Sequence, residues 1–173
     1  ADIRKRNRFV ERTAEAMNLT RAEVEVLFCG ARATTARVNV LHQGSTVAAT
    51  TEHLGRLVSL VPVPWCPHTY RTDDRDRFSP AVPLMEDGQV YLQNASSLIP
   101  VAALDPQPGD RVLDVAAAPG GKAFHIAART GNRGELWLND ANQARTVRLG
   151  ELARTYGVTV GHLSSHPAHY LDK

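Results

Sequence analysis

The sequence predicts an α/β fold: the first half of a doubly wound sheet, preceded by a small α+β N-terminal domain. Three observations predict it. From Asp110 onward, short apolar strands alternate with amphipathic helices, the pattern of right-handed βαβ units and a parallel sheet. Within that stretch a turn of very small residues, Ala116 to Gly121, joins a strand to a helix. Upstream the elements are short, mixed in type and broken by proline, so the expected division is residues 1–87 and 88–173.

Composition bounds the reading. At 173 residues the chain fits one ordinary domain or two small ones, and 43% hydrophobic against 22% charged residues excludes a disordered tail or a coiled coil. The formal net charge is only +2, which does not by itself announce a nucleic-acid binder. No apolar run is long enough for a membrane span and the charged start does not read as a signal peptide, so a soluble, cytoplasmic protein with no membrane partner is expected. The first residue is Ala rather than Met, and the chain is expected to be processed or cut from something longer.

Taken in order, Arg4 to Met17 has apolar residues at helical spacing and a basic start. Thr20-Arg21-Ala22-Glu23 is a capping box that opens a second helix, stopped at Gly30. Ala36 to Leu41 alternates as a strand, and Val47 to Leu57 is helical. The prolines of Val61 to Pro67 exclude an interior strand and predict an extended connector. Arg71 to Arg77 balances its own charges and predicts a solvated loop. Gln89 to Leu92 is a short strand; Asn94 caps a helix running through Val101, with Pro100 in its first turn. Then follow strand Arg111–Val115, helix Gly121–Arg129, strand Gly134–Asn139, helix Gln143–Tyr156 and strand Val158–Leu163.

The chemistry is concentrated in Val112 to Lys122, a buried strand running into a small-residue turn and a helix. Small side chains let a ligand approach the backbone, and the helix start offers unpaired N–H groups. Asp140 closes the next strand at the spacing where doubly wound sheets place a carboxylate on ribose hydroxyls, which implies an adenosine-containing ligand. The absence of Gly-x-Gly-x-x-Gly weakens NAD or FAD, and the absence of a P-loop removes a nucleoside triphosphate held that way. S-adenosylmethionine needs no pyrophosphate cradle and stays compatible.

Asp114-Val-Ala-Ala-Ala-Pro-Gly-Gly-Lys122 resembles the cofactor motif of the Sun (Fmu) family of RNA cytosine-5 methyltransferases. Gln93-Asn94-Ala95-Ser96-Ser97 and Asp105-Pro106-Gln107-Pro108-Gly109-Asp110 resemble its helix start and linking turn. Arg37-Val38-Asn39 and Pro64-Trp65-Cys66 are similar to the N-terminal extension of its bacterial ribosomal RNA members. The resemblance implies a Rossmann-like methyltransferase sheet and S-adenosyl-L-methionine as cofactor. The backbone of Ala116, Ala117, Ala118, Pro119, Gly120 and Gly121 would then hold the methionine moiety, Asp140 the ribose, and Lys122 would face the substrate. Arg145 either supports that region or forms a surface ion pair. RNA is the implied partner, ribosomal rather than transfer, with the basic Arg4 to Arg12 face as a candidate contact.

The family's reaction needs a thiolate to add to the pyrimidine ring, a carboxylic acid to assist, and a second cysteine to release the product. The resemblance assigns these to Pro-Cys and Thr-Cys segments. This sequence has neither. Cys29 ends a helix and Cys66 sits in the proline-rich connector, so both are expected to be buried thiols and no catalytic residue is expected in the chain. Nor is a metal site expected: His162, His166 and His169 have no carboxylate or cysteine clustered with them. The third strand lacks the acidic residue many members place near adenine. The chain therefore reads as the N-terminal portion of a longer methyltransferase, inactive alone, whose first strand would be an open edge. The rivals are a non-catalytic RNA-binding or assembly protein with this fold and a dehydrogenase-like nucleotide binder.

Overall fold

The structure, a computed structural model of the chain, describes residues 3–29, 34–72 and 80–171. They fall into two compact units, one within residues 1–32 and the other within residues 33–173.

The first unit is a helix pair, α1 (Ile3–Met17) and α2 (Arg21–Cys29). The capping box closes as its residue types require: the Thr20 N–H donates to the Glu23 carboxylate at 2.7 Å, and the Glu23 N–H donates to Thr20 Oγ1 at 3.3 Å. Those bonds from Thr20 hold the Glu23 carboxyl below its ordinary pKa. Val10 and Val24 are the buried apolar residues of the pair, and Arg21 reaches Asn7 and Glu25 across its surface. Gly30, the expected helix stop, lies outside the described residues.

The second unit holds two sheets. The antiparallel one has the order β2-β3-β1-β4, from β1 (Thr34–Val38), β2 (Val61–Pro62), β3 (Thr69–Thr72) and β4 (Val90–Asn94). Helices α3 (Val47–Leu57) and α4 (Val82–Glu86) accompany it, and Ala36, Leu54, Val58, Ala81, Leu84 and Val90 form its core. Several expectations are corrected. Strand β1 begins two residues before Ala36 and ends at Val38, because the Asn39 side chain turns away to bond elsewhere. Arg71 and Thr72 are not loop but the end of β3, paired with Thr35 and Thr34; residues 73–77 of that expected loop lie outside the described residues. The proline-rich connector contributes β2, two residues long, at the sheet edge where Pro62 needs no ladder donor. Strand β4 starts beyond residue 87, yet it pairs with β1 along its whole length.

After β4, a single 3-10 turn at Ala95–Ser97 is capped by Asn94, and α5 (Ile99–Leu104) follows with Pro100 in its first turn. Then β5 (Arg111–Asp114), α6 (Gly121–Thr130), β6 (Glu135–Asn139), α7 (Gln143–Thr155) and β7 (His162–Ser164) form a parallel sheet of order β5-β6-β7. The third strand is shorter and later than Val158–Leu163, because Val158 and Val160 pack into the core as connector and the Gly161 N–H bonds the Leu136 carbonyl. One face of the sheet is covered: Leu136 and Leu138 pack with Phe124, Ile126, Ala127, Leu149 and Ala153 of α6 and α7. The opposite face carries Leu113 and Trp137, 48% and 41% exposed, so β5 is not the fully buried strand its sequence suggested.

The two sheets share an aromatic seam. Tyr91 of β4 meets Phe124 and Tyr156 edge-on, with ring centroids 5.7 and 5.1 Å away, a geometry worth ~1 kcal/mol per pair beyond burial. The Tyr156 hydroxyl lies 3.0 Å from the Val90 carbonyl, and burial raises its pKa to about 12. This seam fixes the start of α6 against the antiparallel sheet.

Candidate functional site

The small-residue turn leaves β5 at Asp114 and enters α6 at Gly121. Backbone bonds define its shape: the Ala117 N–H donates to the Asn139 carbonyl at 2.8 Å, and the Gly120 N–H to the Ala117 carbonyl at 2.7 Å. The Ala118–Pro119 bond is cis. Gly120 has φ +115°, and a Cβ there would stand 2.4 Å from the Phe124 ring, so no side chain fits between turn and seam. Gly120 also offers no side-chain cap to α6, which leaves the helix's first N–H groups turned toward the open end of the turn.

Asn139 holds the strand ends together. Its Nδ2 donates to the Val115 carbonyl at 3.0 Å and to the His166 carbonyl at 2.8 Å. Its Oδ1 accepts from Ser164 Oγ at 2.9 Å and from the His166 N–H at 3.0 Å. One fully buried side chain therefore ties the exits of β5, β6 and β7, and it places the next residue, Asp140. Sequence reasoning missed Asn139; the available signal was an amide closing the apolar run Leu136-Trp137-Leu138, where a strand exit needs a polar anchor.

Asp140 is 3% exposed. Its Oδ1 accepts the Asn142 N–H at 3.1 Å, while Oδ2 is buried with no hydrogen-bond partner among the described residues. The nearest cation is Arg145, whose Nη1 stands 3.3 Å from Oδ2 and whose Nη2 donates to the Ala118 carbonyl. Both roles considered for Arg145 are compatible with its contacts: it is half-exposed and ion-paired with Asp140, and it bridges the strand exit to the turn. Thr146 and Ser165 hydroxyls both donate to the Asp140 carbonyl, which fixes its backbone.

Two further unpartnered groups flank the turn. Asp114 Oδ1 accepts the Ala116 N–H, but Oδ2 is buried without a partner among the described residues. Both amide atoms of Gln93 are likewise buried and unpartnered, and a Cβ on Gly121 would lie 3.4 Å from Gln93 Oε1. Neither was given a role by sequence reasoning, although both stand in motifs that carry the resemblance. Buried polar atoms without partners are costly in a native protein, and acceptors grouped around one turn suit a ligand rich in donors.

The remaining site residues divide. Ala116 to Gly121 line the turn, with Ala117, Ala118 and Gly120 buried and Ala116 and Pro119 exposed. Lys122 is exposed at the first turn of α6. Cys66 is not at this turn: it is buried, 3.2 Å from Thr69 Oγ1 and 3.6 Å from His125 Nε2. The Cys29 side chain lies outside the described residues. No group of three metal-ligating side chains occurs among the described residues, and none of their helices is long and apolar enough to cross a membrane.

The parallel half of the chain is similar to known proteins. Residues 101–172 match the family described as 16S rRNA methyltransferase RsmB/F. The match spans the parallel sheet and its helices. Among curated relatives, the 26S rRNA (cytosine-C(5))-methyltransferase nsun-1 of Caenorhabditis elegans is 55% identical over 75 residues, covering 43% of this chain and 11% of its own. Ribosomal RNA small subunit methyltransferase F of Enterobacter sp. (strain 638) is 45% identical over 98 residues, 52% of this chain and 20% of its own. The chain thus spans a small fraction of the curated relatives it matches. Two solved structures from Pyrococcus horikoshii share the fold. A methyltransferase homolog protein superposes with a TM-score of 0.70 at 24% identity, over 91% of this chain and 56% of its own. NSun6 with SFG superposes at 0.63 and 17%, over 79% and 58%. The resemblance to the Sun (Fmu) family of RNA cytosine-5 methyltransferases and the Rossmann-like α/β fold expected with it are therefore both borne out.

Proposed function

We propose that this chain supplies the S-adenosylmethionine-binding part of an RNA cytosine-5 methyltransferase that modifies ribosomal RNA in the cytoplasm. The observation that carries the reading is Asp140 Oδ2, a buried carboxylate oxygen with no hydrogen-bond partner among the described residues and Arg145 Nη1 at 3.3 Å, held at the exit of β6 beside a turn that admits no side chain at Gly120. The residues fit such a cofactor. Asp140 accepts bonds from ribose hydroxyls; the turn from Ala116 to Gly121, with the first N–H groups of α6, receives the methionine part; Asp114 Oδ2 and Gln93 Oε1 are further acceptors at that end, and Gln93 Nε2 is a donor. When bound, S-adenosylmethionine supplies the methyl group as an activated sulfonium. Lys122 faces the substrate side from the start of α6.

The relatives' action on ribosomal RNA supports the substrate class. The functional division at residues 87 and 88 assigns RNA positioning to the first part, with the exposed Arg4 to Arg12 face of α1 as contact. Cys66 does not act as the attacking thiolate, being buried against Thr69 and His125. The chain by itself is therefore expected to bind cofactor without transferring methyl groups.

Calorimetry on the chain tests this. Binding of S-adenosylmethionine but not NAD supports the reading; binding of NAD alone refutes it in favour of a nucleotide-dependent dehydrogenase-like protein. Incubation with labelled cofactor and ribosomal RNA should give no methyl transfer from this chain alone.

A further inference from the structure

Away from the cofactor turn, a cavity of about 460 Å³ opens between the antiparallel sheet and the later turns of α6. Arg37, Val38 and Val40 line it from β1 and its exit, Pro106 to Pro108 from the turn before β5, and His125, Ala128 and Arg129 from α6. His68 adds a further imidazole, and no carboxylate belongs to the wall. None of the residues assigned to the cofactor contributes.

Arg37 is the unusual member. It lies on the central strand of the sheet and is 3% exposed, with Nε and Nη2 buried and lacking any hydrogen-bond partner among the described residues. Among the described residues its neighbours do not supply a counter-charge: the guanidinium sits 5.7 Å from the Tyr91 ring centroid, and Cys66, Tyr156 and His125 are also nearby. A guanidinium presents a fork of donors suited to the oxygens of a phosphate, and a buried one without an acceptor is costly unless something completes it. Arg129, across the cavity, is occupied by an ion pair with Asp105 and contributes positive potential rather than free donors. His125 Nδ1 is also buried without a partner and, as a neutral imidazole, is available as a donor in one tautomer.

We propose that this cavity is a binding site for one phosphate group, with Arg37 as its principal contact and Arg129 and His125 as its flanks. The phosphate comes either as the free ion or as a phosphodiester of an RNA strand crossing the antiparallel sheet. Arg37-Val38-Asn39 then divides its labour: the arginine holds the anion, Val38 fills the core, and Asn39 anchors the strand exit.

Thermal unfolding of the full chain, followed at neutral pH in sodium phosphate and in sodium chloride of matched ionic strength, tests the site. The expected result is a saturable, phosphate-specific rise in Tm for the wild type that Arg37→Gln loses, its affinity for phosphate falling by about tenfold or more. Arg129→Gln should weaken binding less. If Arg37→Gln does not fold, the Arg37 Nε–H resonance of the isotope-labelled wild type gives the answer, shifting with phosphate and not with chloride. A short single-stranded oligoribonucleotide that displaces phosphate from that resonance identifies RNA as the source; one that binds without displacing it identifies the free ion. Absence of a saturable phosphate effect in both measurements, or an equal Tm rise in a folded Arg37→Gln, overturns the proposal.

Discussion

The antiparallel and parallel sheets each end a central strand on a buried asparagine, and the two asparagines leave different charges beside them. Asn39, after β1, donates to the Gly88 and Tyr156 carbonyls, both at 2.9 Å, and accepts the Leu41 N–H at 3.0 Å. Asn139, at the end of β6, makes four bonds that join three strands. Two residues before Asn39 stands a buried cation whose Nε and Nη2 lack an acceptor among the described residues; one residue after Asn139 stands a buried anion whose Oδ2 faces the Arg145 guanidinium without a hydrogen bond. In both places an amide that satisfies the backbone at a strand exit adjoins a buried charge with open hydrogen-bonding atoms. The difference in sign is what the two proposals rest on: hydroxyl donors for the parallel sheet, an oxyanion for the antiparallel one.

Breaking the clamps should produce the largest effects. Asn139→Ala strands the groups that met its amide at the exits of three strands, and a loss of ~4 kcal/mol is expected by urea denaturation. Asn39→Ala removes three bonds, two of them to carbonyls from β4's approach and the end of α7, for an expected ~3 kcal/mol in the same measurement. If Asn39→Ala proves the more damaging, the parallel exits are not the stronger joint.

A pH comparison comes next. Burial, then the Arg37 and Arg129 cations, hold the His125 pKa down to about 3 from its ordinary 6.5. Between those values the unfolded chain takes up a proton that the folded chain refuses, so the stability attached to neutral His125 is complete above pH 6.5 and is lost as pH falls. The contribution reaches ~1.4 kcal/mol per pH unit. Measured from pH 6.5 to 5, the wild type should lose ~2 kcal/mol relative to His125→Gln. Parallel curves would mean that His125 protonates in the folded protein. The smallest effect belongs to Arg145→Ala: its side chain is 55% exposed, so less than ~1 kcal/mol of stability should follow, while its contacts to Asp140 and Ala118 make a change in cofactor affinity the more sensitive readout.

The parallel half was legible because its residues advertise themselves. Leu136 and Leu138 alternate with outward Trp137, and the run from Ala116 to Gly121 is too small for anything but a close turn. Strand β3 was not legible for a physical reason: its two buried residues, Thr69 and Thr72, are polar and three apart, so burial leaves no apolar alternation to read. The same is true at the start of β1, where Thr35 is fully buried and its hydroxyl bonds the Gln93 carbonyl at 2.9 Å. Helix α4, only five residues long and opened by Pro83, is below what periodicity resolves. Of the site, the turn and Asp140 could be named from spacing and resemblance. Asn139 had only the signal of an amide closing an apolar run, and Asp114 Oδ2 and the Gln93 amide had none, since their place lies in which bonds are made and which are left open.

The account rests on Asp140 as the ribose acceptor, and titration calorimetry of S-adenosylmethionine against the wild type and Asp140→Ala tests it most directly. The expected result is a folded variant, with unchanged far-UV circular dichroism, whose affinity is reduced by about a hundredfold, the loss of two charge-assisted hydrogen bonds. A folded Asp140→Ala that binds the cofactor as tightly as the wild type would contradict the account.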